Sequence, residues 1–196
     1  MPLTPAHPAA YRWRGAVRAV VLPASFALAV ALRVLIGRGA AAQSPAAGLA
    51  FGTCLLALAV AARVTVPVTA RSVGLGVLGA VVLIAPVIVV HHGRPLHGWI
   101  GFASWALVVA FVAAAEELFL RGALYDAVTA AAGSTAAIAA GAIAFALLHV
   151  PLYGWHALAL DLIVGLLLGE LRRTAQTPVS PAISHVLADL AAWFLR

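Results

Sequence analysis

Residues 113–125 read AAAEELFLRGALY, two adjacent carboxylates and an arginine set inside an apolar run of a chain that is otherwise almost free of charge. Of its 196 residues, 64% are hydrophobic and 9% charged, and the mean hydropathy is +1.08. Ordinary soluble domains carry roughly 25% charged residues, so this composition belongs in lipid. The three charges of the quoted stretch therefore have to be explained at bilayer depth. There an ionised side chain costs at least about 2.5–3.5 kcal/mol on insertion scales, which makes function the first explanation to test.

Outward from that stretch, apolar runs occupy 16–36, 46–62, 73–90, 99–120, 133–150, 156–171 and 180–195. Each reaches or approaches the roughly 17–25 residues that a membrane-crossing helix needs. The pattern predicts an all-α polytopic bundle of about seven spans, within a range of six to eight. Arg33 interrupts the first run and no small-residue cleavage site precedes a polar mature domain, so this run reads as a span rather than a removable signal. Residues 1–196 read as one integral membrane domain, with scaffold helices over 16–98 and the catalytic helices over 99–196.

The net charge is +6 with no lysine. Arg12, Arg14, Arg18, Arg63, Arg71, Arg172 and Arg173 fall beside spans, where the positive-inside rule accounts for them without any nucleic-acid partner. That assignment puts the N-terminus inside, as in a bacterial cytoplasmic membrane, with Arg38 and Arg94 in outer loops. Cys54 is the single cysteine; it reads as a buried small residue and excludes an intrachain disulfide.

All six acids follow position 115: Glu116, Glu117, Asp126, Asp161, Glu170 and Asp189. On a helix Glu116 and Glu117 point about 100° apart, whereas Glu117 and Arg121, at i and i+4, share a face. Glu117 is thus the expected partner of Arg121, and Glu116 is left free. Two later insertions break apolar helices in the same half, FALLHVP at 145–151 and PAISHVLADLAAW at 181–193. They pair Phe145 with His149, and His185 with Asp189, one turn apart. Counting from a turn near 130–133, Glu116 and His149 both lie about 21–24 Å along their helices, while His185 is only about 8 Å into its own. Bringing all three level requires the 121–135 hairpin to project or bend.

Other polar residues carry weaker readings. His156 and Asp161 read as cavity lining or packing, and Glu170 with Arg172 and Arg173 as an interfacial cluster. HHGRPLH at 91–97 reads as a polar loop.

The runs EELFLRGAL, FALLH and HVLAD, in that order, together with GLLLGELRRTAQTPVSPAISH at 165–185, resemble the motifs of the CAAX protease and bacteriocin-processing family of intramembrane proteases, also called the Abi family. The resemblance covers about 105–193. It implies hydrolysis of a peptide bond in a membrane-embedded or lipidated substrate, with Glu116 as the base that activates water and His149 as its partner. His185 and Asp189 would bind the oxyanion or position the carbonyl, and Glu117, Arg121 and Phe145 would support the site. Many relatives have Asn where this chain has Asp189. An ionised Asp repels an oxyanion, so Asp189 would serve protonated or as an orienter of His185. The cofactor is either none or a zinc ion: Glu116, His149 and His185 supply a His₂Glu set, although HExxH is absent. Buried Glu, His and Asp also suit a proton or cation pathway in a small transporter. A noncatalytic immunity or peptide-binding protein is the third reading.

Overall fold

The computed structural model describes residues 8–37, 44–90 and 100–195, so the 91–97 loop lies outside the described residues. The chain is an all-helical membrane bundle. Its helices are α1 (Pro8–Gly37), α2 (Pro45–Ala61), α3 (Ala70–Val90), α4 (Phe102–Glu117), a π-helical segment (Leu118–Leu124), α5 (Tyr125–Ala132), α6 (Ser134–Tyr153), α7 (Leu158–Ala175) and α8 (Val179–Leu195). Because α4, the π segment and α5 run on without a break, the described residues form seven continuous rods, one for each expected span.

Three rods are long and apolar enough to cross a membrane: Ala70–Val89, Phe102–Ala132 and Ser134–Tyr153. Val20–Ile36, Pro45–Ala61 and Val179–Leu195 are shorter apolar helices. In contrast α7 carries Asp161, Glu170, Arg172 and Arg173.

Local chemistry sets the ends. Ser44 caps α2 by accepting from the Ala47 amide at 3.2 Å, with Pro45 in the first turn. Gly133, at φ 87°, turns the chain between α5 and α6 in a conformation that a side chain would strain.

Small residues decide which rods touch, since lipid supplies no hydrophobic drive for helices to associate. On α3, Ser72, Gly76 and Ala80 recur every fourth residue and are buried. There the Ser180 hydroxyl donates to Ser72 O at 2.8 Å and the Ser184 hydroxyl to Gly76 O at 2.7 Å, seating α8 on α3. Between α6 and α7, a Cβ added at Gly165 would meet Ala142 Cα at 2.8 Å and Ala142 O at 3.1 Å. Both are backbone atoms and cannot rotate away. Gly165→Ala is expected to part the two helices and destabilise the protein by about 1–3 kcal/mol, read as a lower unfolding midpoint in detergent; an unchanged midpoint would refute this packing.

The aromatic core links α1 and α2 to the π segment, with Phe26 stacked on Phe119 at 5.5 Å and flanked by Phe51 at 6.4 Å. Toward lipid the surface stays apolar, as at Val81, Val82, Leu160 and Ile163. Cys54 corrects one expectation: it is exposed, not buried. A face turned to lipid does not penalise a small apolar side chain, so low polarity does not predict burial here.

Candidate active site

The pair expected within AAAEELFLRGALY forms. Arg121 Nη1 donates to Glu117 Oε1 at 2.7 Å, with the two side chains 1% and 0% exposed. Arg121 also donates through Nη2 to Gly165 O at 3.0 Å, and its guanidinium lies 5.0 Å from the Phe145 ring centre. These contacts tie the π segment to α6 and α7.

That π segment, Leu118–Leu124, directly follows Glu117 and overlaps only the start of the 121–135 stretch, whose remainder to Ala132 is the regular helix α5. Widening a helix disturbs the regular pairing of its carbonyls. Here the Arg121 carbonyl is met from α7 by Arg172 Nε at 2.7 Å. Arg172 further donates to Asp126 Oδ1 at 2.8 Å and covers the Tyr125 ring at 4.6 Å. It is therefore a buried anchor of the distorted helix and not part of an interfacial cluster. Glu170 pairs with Arg173, at 2.6 Å, half-exposed.

Glu116 and Glu117 diverge as their helical spacing requires. Glu117 faces α8, where His185 Nδ1 lies 2.9 Å from the same Oε1 that receives Arg121. Glu116 faces a cavity, and it is not left free: Arg33 Nη1, from α1, stands 4.0 Å from its Oε1.

On α6, His149 Nδ1 lies 2.8 Å from Phe145 O. A carbonyl only accepts, so Nδ1 carries the proton, and in the neutral ring Nε2 is an acceptor. The His149 ring stacks on Tyr153 at 5.6 Å and packs on Phe145 at 4.5 Å. Phe145 also meets His185 edge-on at 5.3 Å, so one aromatic ring steadies both histidines. Asp189 Oδ2 stands 3.6 Å from His185 Nε2, beyond hydrogen-bond distance, with its side chain 42% exposed. The close carboxylate partner of His185 is thus Glu117, and Asp189 stands back.

Glu116, His149, His185 and Asp189 line one cavity of about 470 Å³. Its apolar walls include Val108 and Val112, and Trp105 stands near the start of α4. Trp105 also packs on Trp193 at 4.7 Å, joining that end of α4 to the end of α8. Asp161, half-buried on α7, and His156, exposed in the turn before α7, are not part of the lining.

The His₂Glu reading of the metal is not supported by the donor set. Among the described residues no three His, Cys, Asp or Glu side chains converge so as to hold a metal ion. The nitrogen of His185 nearest a carboxylate is already engaged by Glu117, which is not one of the expected ligands.

Three contributors escaped the sequence reading. Arg33 was legible by the same argument as the glutamates, a charge interrupting an apolar run. Arg172 shares a helical face with Gly165, Leu168 and Gly169, all buried, which distinguishes it from its neighbour Arg173. Asp126 carries no comparable signal, because its partner lies 46 residues away.

No curated protein and no solved structure matches the chain. A family match runs over residues 97–191, the stretch that holds Glu116, Glu117, Arg121, Phe145, His149, His185 and Asp189 and that excludes Arg33. Through that stretch the chain is similar to the type II CAAX prenyl endopeptidase Rce1-like family.

Proposed function

We propose that the protein hydrolyses a peptide bond in a membrane-associated or lipidated, CAAX-like protein or peptide, with Glu116 and His149 activating the attacking water. The observation that carries this reading is the shared cavity: Glu116, His149 and His185, from three helices, line one space with apolar walls. His149 Nε2, set as an acceptor by the bond from Nδ1 to Phe145 O, orients the water toward the substrate carbonyl. Glu116 takes the proton as the water oxygen bonds to the carbonyl carbon, and returns it to the leaving amine as the C–N bond breaks.

The carbonyl oxygen gains negative charge in that step. As an imidazolium between Glu117 and Asp189, His185 donates from Nδ1 to Glu117 and presents Nε2–H to this oxygen. Glu117 and Arg121 hold His185 in place. Asp189, 3.6 Å from Nε2 on the exposed side of His185, orients the imidazolium by charge. Residues 99–196 carry these groups, while 16–98 act as scaffold and supply cavity wall. The N-terminus lies on the cytoplasmic side, because Arg63, Arg71 and Arg173 gather at one end of the bundle, where Arg71 Nη2 donates to Thr174 O at 3.1 Å.

The test is cleavage of a panel of membrane-anchored and prenylated peptides by the purified protein, with and without a strong chelator, in detergent and in vesicles of known orientation. Cleavage at one bond, present in wild type and lost with Glu116, supports the reading. Failure across the whole panel overturns it, and a rate abolished by the chelator overturns the water-activating roles given to Glu116 and His149.

A further inference from the structure

Arg71, at the start of α3, donates to Thr174 O at the end of α7, so the two helices run antiparallel, and between them an apolar cleft of about 240 Å³ opens over α8. None of its lining residues belongs to the cavity that holds Glu116, His149 and His185. Leu75, Leu78, Val82 and Leu83 form one wall, and Leu167 and Leu171 the other. At the floor Gly79 lets α3 close on Ser184, whose hydroxyl is already taken up by Gly76 O and Ser180 O. The depth of the cleft therefore asks for no polar partner. From Leu75 to Leu83 it runs about 12 Å along α3, at 1.5 Å per residue.

At the arginine-bearing end the chemistry changes. Arg71 precedes Leu75 and Leu78 by four and seven residues and so stands on their face of α3. Its side chain is exposed, and of its five donors one reaches Thr174 O, at 3.1 Å. Among the described residues no carboxylate pairs with it: Asp126 answers Arg172 at 2.8 Å and Glu170 answers Arg173 at 2.6 Å. Glu170, itself in the lining, thus offsets Arg173 and leaves Arg71 as the net charge at the mouth.

We propose that this cleft binds one anionic phospholipid, with the phosphate on Arg71 and an acyl chain laid between α3 and α7. Lipid is the solvent of these helices, so an apolar cleft facing outward fills with a chain. The planar guanidinium fork then selects the headgroup, because it matches a pair of phosphate oxygens. A zwitterionic headgroup brings its own cation beside Arg71, whereas a net negative one adds only attraction. The lipid would join α3 to α7 across Ser184, the neighbour of His185 on α8. The proposal does not depend on the endopeptidase reading.

The experiment titrates the delipidated full chain, in a neutral detergent, with dioleoyl phosphatidylglycerol, dioleoyl phosphatidylcholine or glycerol 3-phosphate, and counts bound molecules by native mass spectrometry. Wild type is expected to hold one phosphatidylglycerol about 5- to 10-fold tighter than phosphatidylcholine. Arg71→Gln should weaken phosphatidylglycerol about 5-fold, and Arg71→Lys should keep most of the preference. Leu78→Trp fills the cleft from a position 59% exposed, where folding tolerates bulk, and should weaken both lipids about 10-fold. Glu170→Gln releases Arg173 and should tighten phosphatidylglycerol several-fold.

Equal affinity of wild type for the two lipids overturns the proposal. So does an Arg63→Gln variant that loses as much as Arg71→Gln, since Arg63 lies outside the lining and would report only diffuse attraction to a basic surface. Glycerol 3-phosphate bound as tightly as the lipid would mean an ion site without a chain, and overturns the cleft. If Arg71→Gln fails to fold for want of its bond to Thr174 O, the other two variants decide: unchanged affinity in Leu78→Trp and Glu170→Gln overturns the proposal, and opposite shifts support it.

Discussion

Glu116→Gln is expected to lower kcat by about 10²–10⁴-fold on any peptide that the wild type cleaves, with KM little changed. Gln keeps the shape and hydrogen-bonding reach of Glu but accepts no proton at ordinary pH, so the attacking water loses its base. Folding should survive, because the nearest charged partner of Glu116, Arg33, stands 4.0 Å away and lines the same cavity. The measurement is single-turnover cleavage beside an unfolding scan of the same preparation. A variant that folds and retains more than about a tenth of wild-type kcat would remove Glu116 from the chemistry. The cavity would then need another base, and Asp189 is the remaining carboxylate in its lining.

Arg121→Met should produce the largest loss of stability, about 3–5 kcal/mol. The substitution takes away the donor 2.7 Å from Glu117, a carboxylate with no exposed surface, and leaves that charge to His185 alone. It also removes the donor to Gly165 O, a buried carbonyl on α7. Removing both charges in Glu117→Gln/Arg121→Met should recover a large part of the stability, since a buried pair replaced by neutral groups of similar size is often close to neutral. Activity should stay low in the double variant, because Gln at 117 no longer supplies the carboxylate that orients His185. A double-mutant cycle on unfolding midpoints measures the coupling. Additive losses would show that Glu117 and Arg121 do not act as a pair, against the 2.7 Å geometry.

Some of this site was legible because helical spacing is local. Glu117 and Arg121 pair as their i, i+4 separation requires, and the divergence of Glu116 from Glu117 follows from the pitch alone. The same rule marks His185 and Asp189 as neighbours but cannot rank Asp189 against Glu117, which lies 68 residues away on another helix. That ranking reversed in the fold: the distant carboxylate is the close one, at 2.9 Å against 3.6 Å. Arg172 and Arg173 show the same limit. Adjacent and chemically identical, one is buried against the π segment and the other pairs at the surface, a difference set by which face α7 turns to its neighbours.

By itself the sequence determined the solvent of this protein, the number of its rods and the half of the chain that holds the carboxylates. Composition and run length act on each segment separately, and lipid demands a helix of each one regardless of its neighbours. Only the tertiary structure decided that α1 lends Arg33 to a cavity built by α4, α6 and α8, that a π segment follows Glu117, and that one oxygen of Glu117 serves both Arg121 and His185. Those features depend on how closely the helices approach. Within lipid that approach is set by small residues such as Gly76 and Gly165 meeting their partners across large separations in sequence, information that no single segment contains.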